Sequence, residues 1–589
     1  MMIAAVAADA PTRFWFQARA LGAVAVPTLI AYNLPPSATF FNQAAALIGW
    51  GGWLTLLASQ LPAPVGRPEG GLAALLAAFG LMLLAALSAP LWTGAPWSLA
   101  LSSAGLIGAA ALAVRVGAGL CRSGHAQEAF RAFCMALLIA GLAGSAIGVI
   151  QVYAPDWADG RWLAVTSVPG RAVSNLRQPN HMSSLLMWSL IALVWLAEAA
   201  ALRRAVALAF GLVLLFGVVL SSSRTGALGA VLLAGWGIVD RRLSKRTRLL
   251  LGLTPLLFAL MWAGVTEWAH AHEQVFGGEA QLHKGDISSS RFGIWSNTLS
   301  LIASYPWFGV GWGEFNFAWT LTPFPGRPVA FFDHTHNLPL QLAVEMGLPL
   351  AALVLALIGI ALWRALALAR RAEREAPGLA AMPRAALAMV VMVLLHSLLE
   401  YPLWYAYFLL PAAFAFGVAL GGPVVAEAEV ATAPAERGTR PLLLAAMFLL
   451  LGGVVAVQDY LRVVVIFAPP EEATPLAQRI ADGQRSWFFS HHADYAAVTT
   501  AEHPSQVKAG FAGATHYLLD ARLMMAWAKA LDESGDSDGA RYLAQRLKEF
   551  RNEQANEFFA PCGEVASAAS APPFQCLKPM APLDYKRFK

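Results

Sequence analysis

Charge is scarce in this sequence. Only 13% of its 589 residues are Asp, Glu, Lys or Arg, 58% are hydrophobic, and the mean hydropathy is +0.56. A soluble globular chain carries about 25% charged and roughly 45–50% apolar residues. A soluble protein and a disordered one are therefore both excluded. One large soluble core is excluded as well, because such cores stop growing near ~250–300 residues. Cysteine is almost missing: there are four, and no C-x-x-C pair, which argues against a zinc or iron–sulfur framework. The class left standing is a polytopic membrane protein.

Long apolar runs are what the chain has instead. A helix needs about 20 apolar residues to cross a bilayer. Such stretches occur near 15–33, 43–61, 71–88, 97–118, 130–153, 180–200, 205–222, 224–240, 248–269, 337–363, 385–399, 402–420 and 441–467. The expected fold is all-α, with about thirteen transmembrane helices. No small-residue cleavage site follows the first stretch, so it reads as a span and not as a removable signal.

The basic residues orient the spans. With the N-terminus placed inside, twenty Lys and Arg flank the inner ends, densest at Arg203–Arg204, Arg241–Arg248 and Arg370–Arg374. The outer segments before the last span hold seven: Arg161, Arg171, Arg177, Arg224, Lys284, Arg291 and Arg327. This bias accounts for the net charge of +5 and the pI near 9.0 without nucleic acid. An odd number of spans leaves the C-terminus outside. The expected organisation is a transmembrane catalytic region over 1–440 with a long outer loop at 270–336, a last span at 441–467, and an outer helical domain at 468–589. Segment 421–440, rich in Pro, Ala and Glu, reads as an inner linker. In the tail, Ala521–Phe559 carries two amphipathic helical patterns broken at Ser534-Gly535-Asp536, a helical hairpin of the repeat type. Cys562 and Cys576 both lie in this tail, where an oxidising compartment would permit either a disulfide or two free thiols.

Polar groups at membrane depth are costly, so their placement is informative. Five polar clusters fall at the outer ends of spans. Asp333-His334-Thr335-His336-Asn337 precedes a span; a neutral imidazole there suits a general base, while the same residues also suit a helix cap made by Asn337 or Thr335. Ser221–Gly226 forms a tight turn in which Arg224 is either a bidentate phosphate ligand or an arginine reaching lipid headgroups. Arg291 opens an amphipathic stretch that ends near Pro306, an interfacial helix by pattern. Gln178, Asn180 and His181 begin a span after Pro179 and could meet sugar hydroxyls or simply start the helix. His396, Glu400 and Tyr401 sit where two spans meet, either orienting a base or forming a polar turn. No comparable set occurs at the inner ends, so one shared outer-face site is the economical reading. Two Arg, one or two His and no metal cage suit a reaction in which a diphosphate leaves and a hydroxyl attacks.

At these residues the chain resembles the O-antigen ligase/polymerase superfamily, which includes bacterial O-linked oligosaccharyltransferases of the PglL type. The resemblance rests on Arg177–His181 (RQPNH), Ser223-Arg224-Thr225, Arg291 with Trp295, Pro306–Phe315 (PWFGVGWGEF), His334–Asn337 (HTHN) with Gln341 and Glu345-Met346-Gly347, and His396–Tyr405 (HSLLEYPLWY). The last motif and the outer tail are more like the protein-glycosylating branch than the lipopolysaccharide ligases. The resemblance implies a GT-C-like glycosyltransferase of the bacterial inner membrane with its active site facing the periplasm. It implies transfer of a glycan from undecaprenyl diphosphate to Ser or Thr of a pilin or other periplasmic protein, with inversion and without a metal or cofactor. Carried over, His336 is the base and Arg224 and Arg291 hold the diphosphate. His334, Asn337, Gln178, Asn180, His181, His396, Glu400 and Tyr401 support them. Within the superfamily the alternatives are an O-antigen ligase acting on lipid A-core and a polysaccharide polymerase. A proton-coupled transporter is the rival from another class, but it calls for ionisable residues at mid-membrane and an internal repeat, and neither is evident.

Overall fold

In the computed structural model, residues 10–61, 67–279, 286–324, 326–375, 381–421, 439–564 and 572–589 are described, and all regular structure among them is helical. Each of the thirteen apolar stretches falls on helix, though not always on one helix. Seven single helices are long and apolar enough to cross a membrane: Gly70–Thr93, Trp97–Leu120, Ala126–Tyr153, Pro179–Glu198, Arg204–Ser221, Leu348–Ala372 and Arg440–Phe467. Lys245–Gly252 and Thr254–Ala271 make an eighth if a 43° bend is allowed. Arg224–Val239, Ala381–Ser397 and Ala406–Gly421 are shorter apolar helices.

The expected span 337–363 is two helices, Leu338–Met346 and Leu348–Glu375. They part at Gly347, whose φ is +76° and whose Cβ position would lie 2.3 Å from the Trp307 carbonyl oxygen. Only glycine fits a left-handed residue pressed this close to another backbone. The inner linker expected at 421–440 lies almost wholly outside the described residues.

The chain divides into two compact units. The first comprises residues 1–77, 108–285 and 357–455; the second comprises 78–107, 286–356 and 456–589. The first is a helix bundle with an aromatic centre: Trp50 meets Trp53 at 5.0 Å between ring centroids, and Trp53 and Phe133 each meet Phe414 at 5.1 Å. Helices close up where side chains are smallest. A Cβ on Gly117 would sit 2.6 Å from the Phe414 oxygen, and one on Gly417 2.2 Å from the Val114 oxygen. Small residues allow such approach between helices in lipid, where packing substitutes for the hydrophobic drive.

The second unit joins the long loop to the tail. The expected hairpin is present as helices Ala521–Glu533 and Ser537–Phe550, turning at Gly535 with φ +87°. Cys562 and Cys576 are disulfide-bonded. Arg327, fully buried, bonds the carbonyls of Trp319 and Thr320, pairs with Glu549 at 3.3 Å and lies 4.4 Å from the Phe550 ring. Burial pushes its guanidinium down to about 10 while Glu549 opposes the shift. A buried charge is tolerated only when paired in this way. Loop and tail therefore share one core.

Candidate functional site

In the first unit three motifs distant in sequence are wired together. Helix Pro179–Glu198 starts at Pro179, and the Gln178 side chain caps it by accepting from the His181 N–H at 2.7 Å. Asn180, in the first turn, is a bridge. Its Nδ2 donates to Glu400 Oε1 at 2.9 Å, and its Oδ1 accepts from Ser223 Oγ at 2.6 Å. Ser183 Oγ donates to Ser223 Oγ at 3.0 Å. Ser223 in turn caps the helix that begins at Arg224. The arrangement fixes where Arg224 leaves the turn, with its side chain exposed and a helix N-terminus behind it. Such a terminus with an arginine favours an anion.

His396 and His181 lie deeper. Ser184 Oγ bonds His396 Nδ1 at 2.7 Å, and the two imidazoles meet edge to face at 6.0 Å. Tyr405 lies 4.6 Å from the His181 ring and 6.0 Å from Tyr401. Two arginines outside the expected site residues join this unit. Arg171 Nε and Nη2 donate to the carbonyls of Ser221 and Ser222 at 3.2 and 3.3 Å, immediately before Arg224. Burial, and secondarily the Arg224 guanidinium, push Arg171 down to about 10. Arg177 has a left-handed φ of +56° and a buried Nη1 without a hydrogen-bond partner. Burial lowers its pKa, with Tyr407 opposing. Arg177 opens the RQPNH motif, whereas no spacing rule singles out the lone loop arginine Arg171, which only the fold reveals.

In the second unit the His334–Asn337 turn is held from several sides. Thr335 N–H donates to Gln341 Oε1 at 2.7 Å, Gln341 Nε2 donates to Glu345 at 2.8 Å, and Thr335 Oγ1 donates to the Asn337 carbonyl at 2.9 Å. Asn337 caps the next helix through Leu340 N–H at 3.0 Å, so the capping role is real. His336, immediately before the cap, is half-buried and has φ +54°. A non-glycine residue in this region is uncommon, although His tolerates it better than most, and such strain gathers at functional positions. Phe332 meets the His336 ring edge to face at 5.6 Å. His334 Nδ1 lies 3.1 Å from Asp333. Burial raises the Asp333 carboxyl, but His334 outweighs it and holds the group below its ordinary range. Arg291, half-buried, belongs to helix Asp286–Ser304, and Trp295 one turn later donates to the Thr335 carbonyl at 2.9 Å. The side chains of Ser288–Ser290 lie outside the described residues.

The expected site residues thus form two clusters. Gln178, Asn180, His181, Arg224, His396, Glu400 and Tyr401 belong to one unit, and Arg291, His334, His336 and Asn337 to the other. Among the described residues no three His, Cys, Asp or Glu side chains gather as metal ligands would.

Three family models match the chain: O-Antigen ligase over residues 208–355, Virulence factor membrane-bound polymerase, C-terminal, over 384–559, and Protein glycosylation ligase over 172–197. The chain is 29% identical over 397 residues to a General O-oligosaccharyltransferase of Acinetobacter baylyi, covering 64% of this chain and 65% of that one. It is 26% identical over 267 residues to a ComP-specific O-oligosaccharyltransferase of the same organism, covering 44% and 45%. The chain therefore spans somewhat under two thirds of the length of the first relative and under half of the second. The segments matched by the family models include the Asn180, Arg224, His336 and Glu400 motifs, and in them the chain is similar to O-antigen ligases and protein glycosylation ligases.

Proposed function

We propose that this multi-pass membrane protein is an O-linked oligosaccharyltransferase. It transfers a glycan from undecaprenyl diphosphate to a Ser or Thr hydroxyl of a pilin or other periplasmic protein. The observation that carries the reading is the Ser223–Asn180–Glu400 linkage. It draws three separate motifs together behind Arg224, each within a segment that a family model matches.

In the proposed reaction the acceptor oxygen attacks the anomeric carbon and forms the new glycosidic bond. The bond from that carbon to the diphosphate oxygen breaks, and its electron pair leaves with the diphosphate. The hydroxyl proton passes to the His336 imidazole, and attack opposite the leaving group inverts the anomeric centre. Arg224 and Arg291 stabilise the negative charge on the departing diphosphate. His334 and Asn337 hold the base turn. Gln178, Asn180, His181, His396, Glu400 and Tyr401 hold the donor side. The excess of Lys and Arg at the inner ends and the disulfide in the tail support an inner-membrane protein whose active site faces the periplasm.

The test is purified protein with lipid-linked glycan, offered a pilin and a lipid A-core in parallel. Labelled pilin is expected, unchanged by EDTA. Labelling of the lipid alone would assign the chain to the O-antigen ligases instead, and strong inhibition by EDTA would overturn the metal-free reaction.

A further inference from the structure

The tail contains none of the groups assigned to the reaction, yet it is built into the base turn. Asn316 is buried between them. Its Oδ1 accepts from the tail amide of Leu519 at 2.7 Å, and its Nδ2 donates to the carbonyl of Phe332 at 2.9 Å, one residue before Asp333. Only this orientation of the amide satisfies both partners, because one presents N–H and the other C=O. The same tail segment is anchored alongside. His516 Nδ1 lies 2.8 and 2.9 Å from the two oxygens of the buried Glu314, and its ring stacks on Phe317 at 4.9 Å. On the other flank Phe550 stacks on Phe331 at 3.9 Å. Phe332, whose carbonyl Asn316 holds, is also the ring against His336.

A base turn with a left-handed histidine needs outside support, since the backbone alone does not favour that conformation. We propose that Asn316 is a positioning residue. It ties the tail to the Phe332–His336 turn and so holds the His336 imidazole where a proton can be taken, without touching the reacting atoms. The inference rests on the reading of His336 as the base. It makes the tail a working part of the turn.

Three proteins test this: Asn316→Ala, Asn316→Asp and, in parallel, His336→Asn. Asn316→Asp keeps an acceptor for the Leu519 amide, loses the donor to Phe332 and sets a carboxylate oxygen against that carbonyl. Misplacing a catalytic group by about 1 Å can cost on the order of 10²-fold. Both Asn316 variants are expected to lower kcat roughly 10- to 100-fold, with KM for the lipid-linked donor within about twofold. Turnover per folded molecule equal to wild type in either variant would overturn the inference. Hydrogen exchange on the unaltered protein gives a second reading that needs no variant. The Leu519 amide and segment 331–337 are expected to open together, and opening of 331–337 while Leu519 stays protected would also overturn it. If His336→Asn retains full activity, the base assignment fails whatever Asn316 does. If His336→Asn is inactive and the Asn316 variants turn over normally, only the positioning role falls.

Discussion

The two polar clusters are built differently. Around Asn180 the bonds run from side chain to side chain between helices: Ser183 to Ser223, Ser223 to Asn180, Asn180 to Glu400. Around His336 they run mostly from side chains to the backbone of one turn: Gln341 to Thr335, Trp295 to Thr335, Asn316 to Phe332. The first pattern fixes the spacing of helices and so presents Arg224 at a set place. The second fixes the path of a loop and so aims one imidazole. A leaving group with a fixed diphosphate is suited by a rigid charged edge. A proton acceptor needs its ring aimed to within a fraction of an ångström. The contrast agrees with the proposal that the first cluster holds the donor and the second takes the proton.

The sharpest way to break that assignment is at His336. Replacement by Asn keeps a side chain that accepts a left-handed backbone and removes the base. Transfer to protein acceptor is expected to fall at least ~10²-fold, with KM for the donor little changed. A fall in donor affinity with kcat preserved would reverse the roles of the two clusters. The arginine edge comes next. Arg224→Ala is expected to lower kcat/KM by roughly 10- to 100-fold by weakening charge stabilisation at the leaving group. Arg171→Gln, which loosens the Ser221–Ser222 carbonyls before Arg224, should do the same to a smaller extent. Steady-state kinetics with varied donor separate the two.

Much of the fold was legible in the residues alone, and the reason is physical. Apolar length marks spans because lipid demands it, so every expected stretch is helical. The tail hairpin was legible because amphipathic periodicity and Ser534-Gly535-Asp536 act locally. The break inside 337–363 was not. Its cause is the close approach of Gly347 to the Trp307 backbone, a contact between residues forty positions apart that no hydropathy window registers. The same holds at the site. The motif residues stand out by type and position, whereas Arg171 in a loop and Asn316 in the short helix Phe315–Leu321 are single polar residues outside the expected site. Their meaning comes from the backbone groups they reach in the folded chain.

Asn180 offers a smaller effect that probes the holding cluster itself. Asn180→Ala leaves Glu400 and Ser223 without their shared partner. A net hydrogen bond contributes about 0.5–1.5 kcal/mol, and Ser223 keeps its bond from Ser183. A several-fold rise in donor KM is expected, together with a modest drop in melting temperature. Unchanged donor binding would show that the side-chain linkage is only structural, and would remove the observation on which the donor-side reading stands.

The smallest expected effect on turnover tests whether the tail is passive support. His491 and His492 lie side by side in the tail helix Ser490–Thr500, their rings 4.2 Å apart and both close to Tyr517. Both ring nitrogens of His491 are buried without a hydrogen-bond partner. Burial, and for His491 also the neighbouring His492, hold the pair well below 6.5, with His492 down to about 4. Below pH 6.5 the unfolded chain takes up protons that the folded tail refuses, so stability falls as pH drops from 6.5 toward 4. At pH 5 the loss is roughly 2 kcal/mol for His492, enough to lower a melting temperature by several degrees, and His491 acts in the same direction. Thermal unfolding of the whole protein at pH 7 and pH 5 measures it, and His492→Phe, which keeps the ring and cannot protonate, should shrink the difference. The His336 cluster has its own imidazoles, so the comparison needs activity alongside. If the tail only supports the base turn, His492→Phe leaves the pH dependence of kcat at 25 °C unchanged while it flattens the pH dependence of melting. A shift in both would mean that protonation in the tail reaches the turn that Asn316 connects to it.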